Sequence, residues 1–340
     1  MKIRNITYLL VCCCLCLIAA CDKKLMLPST ENQKIVLLGE LVAGDSMKIR
    51  AGMSTVIQSG AMMNEELIQN LSINIKDGAN NTTQLSGAED DLSITEHTVS
   101  FSSGQLTQAG NKYEIRASHP ELGTAYANII IPNPFNADIT DTLSTEYNGE
   151  NCLQVNIQIN DNAENNFYVV EVLQQPFTLE PAFLFNGQWF KTSENFSLYD
   201  SLINAGVTVE EKLDSFYTQM LNRITFYTTD AQSEHLLNGN SKTLCRRVLL
   251  YDKSFNGSAH LTSILLPKSQ INPFPGSGLR TLIQVKSVAE DYFLYLKGYE
   301  QYDPFSGFSN TNTPVRLTGN ITNGVGMIGG VYKRTFTYQF

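Results

Sequence analysis

The stretch "CLQVNIQIN", residues 152–160, decides the fold class of this chain. Leu153, Val155, Ile157 and Ile159 alternate with polar residues, and a period of two is typical of a β-strand with one buried face. Short segments of the same kind, separated by Gly, Asn and Asp, recur along most of the 340 residues. The sequence therefore predicts an all-β protein.

Towards the N-terminus, residues 34–134 contain the segments "KIVLLGEL", "MKIRAG", "LSINIKDG", "HTVSFSSG", "KYEIRAS" and "AYANIIIP". Short strands at this spacing predict an Ig-like β-sandwich over residues 34–134. The segment "IPNPFN", residues 131–136, carries two prolines. Because proline cannot continue a central strand, we place the end of the first domain and a linker there.

Towards the C-terminus, residues 139–340 are predicted to form a larger β-sandwich or barrel-like domain. In "FLFNGQWF", aromatic residues flank Asn186-Gly187, which is a favoured pair for a type I′ hairpin turn. The hydrophobic period then becomes helical in two places. "TVEEKLDSFYTQMLNRI" predicts an inserted helix near residues 208–224, and "SVAEDYFLYLKGYEQY" predicts another near 287–301, because each begins with Thr or Ser followed three residues later by Glu.

The N-terminus, "MKIRNITYLLVCCCLCLIAACDKK", predicts a lipoprotein signal peptide over residues 1–20. It has a basic start, an apolar run too short to span a bilayer, and small residues that end in Cys21. Cleavage after Ala20 leaves Cys21 to carry lipid, and residues 21–33 are predicted to form the lipid-anchored tether. We expect the protein at the outer membrane, anchored by its acyl chains. The sequence leaves open whether it faces the periplasm or the outside.

The composition argues against several classes of function. The chain has 24 basic and 33 acidic residues, and removal of residues 1–20 takes away two basic ones. The mature chain then has 24 − 2 = 22 basic residues and a net charge of −11, so nucleic acid is not an expected partner. Its sequence lacks C-x-x-C, H-E-x-x-H and G-x-S-x-G patterns. We therefore expect no metal and no cofactor, assign no catalytic residue, and predict a protein that is not an enzyme.

Two cysteines, Cys152 and Cys245, remain after lipidation of Cys21. In an oxidising compartment they form a disulfide that closes a loop of roughly 90 residues, worth about 4 kcal/mol in the chain-entropy model. The alternative is a pair of buried free thiols. The sequence does not decide between the two.

The stretch "GVGMIG", residues 324–329, matches the dinucleotide-binding pattern G-x-G-x-x-G. That function requires a helix after the glycines and an acidic residue roughly 20 positions later. Here only 16 residues follow Gly324; they contain no Asp or Glu and end in an alternating strand pattern. The glycines are therefore predicted to serve close backbone packing in a strand.

Five segments carry a family resemblance. They are "KIVLLGELVAGDSMKIR", "IQNLSINIKDG", "AENNFYVVEV", "LLYDKSFNGSAHLTSILLP" and the closing "PVRLTGNITNGVGMIGG". In this order they resemble the domain-of-unknown-function 4249 family of Bacteroidetes-type outer-membrane lipoproteins. Met327-Ile328 depart from the family pattern. The resemblance implies an accessory role beside a TonB-dependent outer-membrane receptor, and it brings no functional residue with it.

Two functions follow as hypotheses. The first is a non-enzymatic accessory or binding subunit associated with a TonB-dependent receptor. The alternative is a stand-alone surface lipoprotein that binds a glycan or peptide through aromatic loops, since exposed aromatic rings can stack on a ligand or anchor a partner. The candidate aromatic residues are Trp189, Phe190, Tyr302, Phe305 and Phe308.

Overall fold

The computed structural model describes most of the chain downstream of the predicted tether. The described residues are 33–54, 70–87, 98–218, 220–239, 242–271, 278–301 and 317–339. Strands dominate them, so the all-β prediction is confirmed. No helix within these ranges is long and apolar enough to cross a bilayer.

The N-terminal region forms two antiparallel sheets. Its strands are β1 (Ile35–Val42), β2 (Ser46–Met53), β3 (Ser72–Asp77), β4 (Thr82–Gly87), β5 (Thr98–Leu106), β6 (Lys112–His119) and β7 (Gly123–Ile130). Neighbouring strands follow the order β1-β2-β5-β4 in one sheet and β3-β6-β7 in the other, and β4 also pairs with β3, so the two sheets are continuous through β4. This is the A-B-E-D and C-F-G order of an Ig-like sandwich. The sheets enclose a core that includes the fully buried Ile49, Ile73 and Ile115.

A single tyrosine fixes the connection between β5 and β6. Tyr113 lies at the start of β6 and is buried, and its hydroxyl accepts a hydrogen bond of 2.8 Å from the backbone N–H of Gln108. A tyrosine at the start of strand F that bonds to the backbone a few residues upstream is typical of Ig-like domains. The Tyr113 side chain therefore fixes the loop between β5 and β6 to the core of the N-terminal sandwich.

The C-terminal region is a second sandwich. Its strands are β8 (Asn136–Tyr147), β9 (Glu150–Asn160), β10 (Phe167–Phe185), β11 (Gln188–Lys191), β12 (Glu211–Tyr217), β13 (Asn222–Arg223), β14 (Tyr227–Thr228), β15 (Arg247–Tyr251), β16 (Ala259–Pro267), β17 (Gly278–Val288) and β18 (Gly324–Gln339). Its helices within the described residues are α1 (Phe196–Asn204), α2 (Glu234–Leu237), α3 (Lys268–Ile271) and α4 (Glu290–Gln301).

The opening stretch "CLQVNIQIN" is β9, in the sheet β14-β16-β9-β8. Val155, Ile157 and Ile159 are fully buried and belong to the same core as Val170 and Val172 of β10, which lies in the larger sheet. The alternation in this stretch is thus the inner face of one layer of the sandwich, as the sequence predicts.

The last strand belongs to both regions. β18 runs antiparallel to β17 and parallel to β1, so it extends the first sheet of the N-terminal sandwich into the second region. At Gly326, whose φ is +116°, an added Cβ would lie 2.0 Å from the carbonyl oxygen of Leu37 in β1. At Gly330 it would lie 2.0 Å from the carbonyl oxygen of Ile130. These glycines permit close backbone approach in a strand, as predicted.

The prediction of a helix near residues 208–224 is wrong. Residues Glu211–Tyr217 form β12, whose seven residues pair with Phe177–Phe183 of β10. Without this partner, the edge of β10 would expose a row of unpaired backbone groups. Helix propensity is a weak preference that such pairing overrides. A helix does lie within the second predicted span, over Glu290–Gln301, and α1 forms where the sequence predicted none.

Candidate functional site

The outer half of β10 builds a separate substructure, which we call the arm and define as residues Phe177–Tyr217. Here β10 pairs with β12 along one edge and with β11 along the other, and α1 connects β11 to β12. The β10–β11 hairpin turns at Asn186 and Gly187, whose φ angles of 51° and 78° are those of the predicted type I′ turn. Directly opposed residues in these pairs share a face, so the register divides the arm into two faces.

One face, which we call the polar face, is occupied by ion pairs. Lys191 Nζ lies 2.8 Å from Glu180 Oε1, and its hydrogen bond is the main cause of the lowered pKa of Glu180. Lys212 Nζ lies 3.1 Å from Asp214 Oδ2 and 4.0 Å from the centre of the Trp189 ring. The charges of this face are therefore compensated within the arm.

The other face, which we call the apolar face, is half covered. Phe183 is fully buried against Tyr199 of α1 at 5.3 Å between ring centres, so α1 lies over this end of the arm. Further along the same face Leu179 and Leu213 are 63% and 69% exposed. They are diagonal neighbours in the register, since Leu213 pairs with Pro181. The apolar face is thus closed by α1 at one end and open at the other.

The predicted aromatic residues do not form an exposed ring surface in the described part of the chain. Trp189 is half-buried beneath Lys212, and Phe190 stacks on Phe183 with 5.8 Å between ring centres. The hairpin therefore places one ring against a lysine and the other against the arm's own core, and a role of these two side chains in binding stays a prediction. Tyr302, Phe305 and Phe308 lie outside the described residues.

A polar cleft of about 610 Å³ lies between α2, the start of β15 and α4, a size within the range of small-molecule sites. Its lining includes His235, Thr243, Cys245, Arg246, Lys297 and Glu300. None of these residues lies in a sequence motif that predicts a ligand site. The residues come from three separate elements, so no spacing in the chain brings them together.

Most charges in the cleft are held by neighbours. Lys297 Nζ lies 2.8 Å from Glu234 Oε2, and His235 Nε2 lies 3.0 Å from the carbonyl oxygen of Thr243. Burial raises the pKa of the Cys245 thiol to about 12, so the thiolate form is suppressed. The cleft offers hydrogen-bonding groups to a polar ligand, and its cysteine is not an activated nucleophile.

A buried charge cluster lies behind the cleft. Glu171 of β10, whose side chain is 2% exposed, contacts Lys286 of β17, Arg223 at 3.0 Å and Arg247 at 3.3 Å. Burial alone would raise the pKa of Glu171, but the three cations outweigh it and lower this pKa to about 2. Lys286 Nζ also lies 3.0 Å from Glu40 of β1. The cluster therefore joins the N-terminal sandwich to the second one.

Helix α4 contributes two more residues to this cluster, one that contacts Glu40 and one that contacts Arg247. The Tyr292 hydroxyl donates a hydrogen bond of 2.6 Å to Glu40, and Arg247 pairs with Glu300, which lines the cleft. Burial disfavours the charged form of Lys286, yet the carboxylates of Glu40 and Glu171 keep its pKa above the usual value. The sequence signal for this cluster was a lone charge within an apolar strand, as in "FYVVEVLQ" and "TLIQVKS".

Cys152 and Cys245 are both free thiols in the structure, which favours the second of the two alternatives over a disulfide. Cys152 packs with Tyr227 and Leu265 in one cluster, whereas Cys245 packs in the main core of the second sandwich. The Cys245 thiol donates to the carbonyl oxygen of Phe226 at 3.3 Å. Among the described residues, no group of three or more His, Cys, Asp or Glu side chains is placed to hold a metal ion.

Two solved structures share a remote likeness with the chain. The Escherichia coli alpha-2-macroglobulin activated by porcine elastase is 10% identical with a TM-score of 0.23, and the match covers 76% of this chain and 19% of that chain. The Salmonella alpha-2-macroglobulin reacted with methylamine is 9% identical with a TM-score of 0.20, covering 76% and 14%. This chain thus spans about a fifth or less of those chains, and a likeness at this level carries no argument. No curated protein matches the chain.

The sequence resemblance to the domain-of-unknown-function 4249 family is confirmed. The family model described as Domain of unknown function (DUF4249) matches residues 23–337, nearly the whole chain. The five quoted segments all lie within this match. The chain therefore belongs to the DUF4249 family.

Proposed function

We propose that the protein is a lipid-anchored, non-enzymatic accessory or binding subunit of the outer membrane that associates with a TonB-dependent receptor. The observation that carries the proposal is the open apolar face of the arm, where Leu179 and Leu213 are each more than three-fifths exposed. Neighbouring large apolar side chains left open in this way mark interaction surfaces.

Two features of the sequence support the same proposal. The predicted lipid on Cys21 would hold the protein beside integral components of the outer membrane. The family resemblance implies proximity to TonB-dependent receptors. The side chains in the cleft that are suited to covalent chemistry are engaged otherwise, since the Cys245 pKa is raised and His235 is bonded to a backbone carbonyl.

The second candidate function is that of a stand-alone binding lipoprotein. The polar cleft at Arg246 and Lys297 favours it, because its volume suits a small polar ligand. The aromatic residues Trp189 and Phe190 support it less, since both side chains are half-buried against other side chains of the arm. In this function the ligand would be a glycan or peptide held by hydrogen bonds and charge rather than by ring stacking.

Mild-detergent extraction of the full-length, lipidated and C-terminally tagged protein from outer membranes tests the first function against the second. We expect a TonB-dependent channel to co-purify in about equal amounts, identified by mass spectrometry. Cys21→Ser serves as the control for anchoring, because it removes the acyl chains. A wild-type protein that leaves the membrane alone would contradict the accessory function and favour the stand-alone one.

A further inference from the structure

We propose that the open apolar face of the arm docks into an apolar groove bordered by lysine and arginine side chains on a partner protein of the outer membrane. The inference rests on the proposed function and goes further, because it names the surface of this chain that meets the partner and the chemistry that the partner presents. Three properties of the arm carry it: its apolar centre, its acidic border and its compensated opposite face.

The apolar centre combines the sheet with α1. Leu179 and Leu213 are diagonal neighbours on the sheet, and α1 lies on the same face because Tyr199 contacts both Phe183 and Glu211. No residue of α1 is buried, and its Phe196 is 62% exposed. A helix normally buries one apolar stripe in its own core. The arm therefore exposes apolar side chains both on its sheet and on its helix α1.

The border of this face is mainly acidic, with one arginine at the base of the arm. Residues 177–217 contain six acidic and two basic side chains, a net charge of 2 − 6 = −4. Glu211 of β12 lies on the apolar face opposite Phe183, and Asp200 belongs to α1, the helix over that face. The two lysines of the arm lie on the polar face and form their ion pairs with Glu180, Glu194 and Asp214 instead. At the base of the arm, Arg280 of β17 stacks on the Tyr217 ring.

This charge pattern indicates which kind of partner can bind the apolar face. An anionic membrane surface attracts basic segments and repels acidic ones. A second copy of this chain would bring the same acidic border against itself, and like charges across an interface are unfavourable. A glycan would bring hydroxyl groups that need hydrogen-bonding partners, and the aliphatic side chains of Leu179 and Leu213 offer none. A protein groove that is apolar in the middle and basic at its rim satisfies both the leucines and the carboxylates.

The test compares three variants of the full-length lipidated chain in the same outer-membrane capture. Leu179→Ser with Leu213→Ser removes the apolar centre, and Asp200→Asn with Glu211→Gln removes two charges at the border. Leu261→Ser is the matched control, because Leu261 is a 57% exposed leucine on β16, outside the arm. The substituted leucines are exposed, so all variants are expected to fold, and an unchanged melting temperature verifies this.

We expect the leucine pair to lower the captured partner at least about tenfold, because exposed apolar side chains contribute to binding once they are buried. Leu261→Ser should leave capture unchanged. Raising NaCl from about 0.05 to about 0.5 M should weaken wild-type capture and have less effect on the border variant, since salt screens exposed charges.

Each contrary result has a distinct meaning. If wild type captures a channel and the leucine pair captures as much, the docking surface is wrong and the proposed function stands. If the amount of captured partner does not change with the NaCl concentration, the proposed basic rim of the partner's groove is wrong. If wild type captures no protein, both proposals fail. Arm-dependent binding to vesicles of phosphatidylglycerol, or arm-dependent dimers in sedimentation, would then name the membrane or a second copy as the occupant.

Discussion

The buried charge cluster gives the sharpest prediction, which concerns Glu171→Gln. The substitution keeps the shape of the side chain and removes its negative charge. Glu171 is 2% exposed and contacts Lys286, Arg223 and Arg247. Because the side chains of Lys286 and Arg247 are each only 7% exposed, the loss of their shared carboxylate leaves each with a single carboxylate partner, Glu40 and Glu300 respectively. The substitution should therefore lower the free energy of unfolding substantially.

The magnitude follows from the pKa of Glu171, which is lowered from 4.5 to about 2. A difference of about 2.5 pKa units corresponds to about 3 kcal/mol of preference for the charged form in the folded state. Removal of one partner of a buried ion pair costs about 3 to 5 kcal/mol. The value from the pKa lies at the lower end of the range for broken buried ion pairs, so we expect Glu171→Gln to destabilise the protein by about 3 kcal/mol near neutral pH.

Urea denaturation of wild type and variant over a series of pH values checks this. The folded-state pKa of Glu171 is depressed, so its contribution is fully present above about pH 4.5 and is lost as the pH falls towards about 2. The two proteins should therefore converge in stability over this window. Glu180→Gln, in a partly exposed ion pair with Lys191, is the control and should have a smaller effect than Glu171→Gln. A difference below about 1 kcal/mol near neutral pH, or one that persists at acid pH, would refute the reasoning.

Three further predictions concern single sites. Tyr113→Phe should lower the free energy of unfolding by about 1 kcal/mol in urea denaturation, because it removes the hydrogen bond from the Gln108 N–H; an unchanged midpoint would contradict this. Gly326→Ala should lower the melting temperature strongly or prevent folding, since its Cβ would lie 2.0 Å from the Leu37 carbonyl oxygen at a φ of +116°; a wild-type melting curve would disprove the close approach. Cys245 should resist iodoacetamide in the folded protein and react once urea is added, because burial raises its pKa to about 12; rapid native labelling would count against it.

The strand pattern could be predicted from the sequence wherever one face of a strand is buried. β9 and the Ig-like strands alternate because each has an apolar core on one side and solvent on the other. The glycines of β18 were predictable for a related reason, since the chain after Gly324 has a strand pattern and lacks the acidic residue of a dinucleotide site. Periodicity therefore sufficed where local pattern and tertiary packing agree.

The candidate surfaces could not be predicted in this way. The cleft takes residues from α2, β15 and α4, which are separated by more than 50 positions of chain between His235 and Lys297. The charge cluster brings Glu40 to Lys286 across 246 positions. A single sequence shows a charge inside an apolar strand, such as Glu171, and does not show its partner. Only the paired strands reveal that the charge is compensated.

The incorrect helix near 208–224 and the proposed docking face concern the same residues. The segment quoted for this helix, residues 208–224, contains Leu213 and Met220 among its apolar residues, and a helix of that period would bury them on one face. The strand β12 leaves Leu213 69% exposed, and Met220 just beyond it is 62% exposed. Neighbouring apolar side chains at exposed sites lower the solubility of a protein unless a partner covers them. The apolar pattern of residues 208–224 therefore has two different outcomes: Ile224 is buried in the core of the second sandwich, whereas Leu213 and Met220 remain exposed. The proposed docking face gives the exposed Leu213 a role that a helix buried in this protein would not.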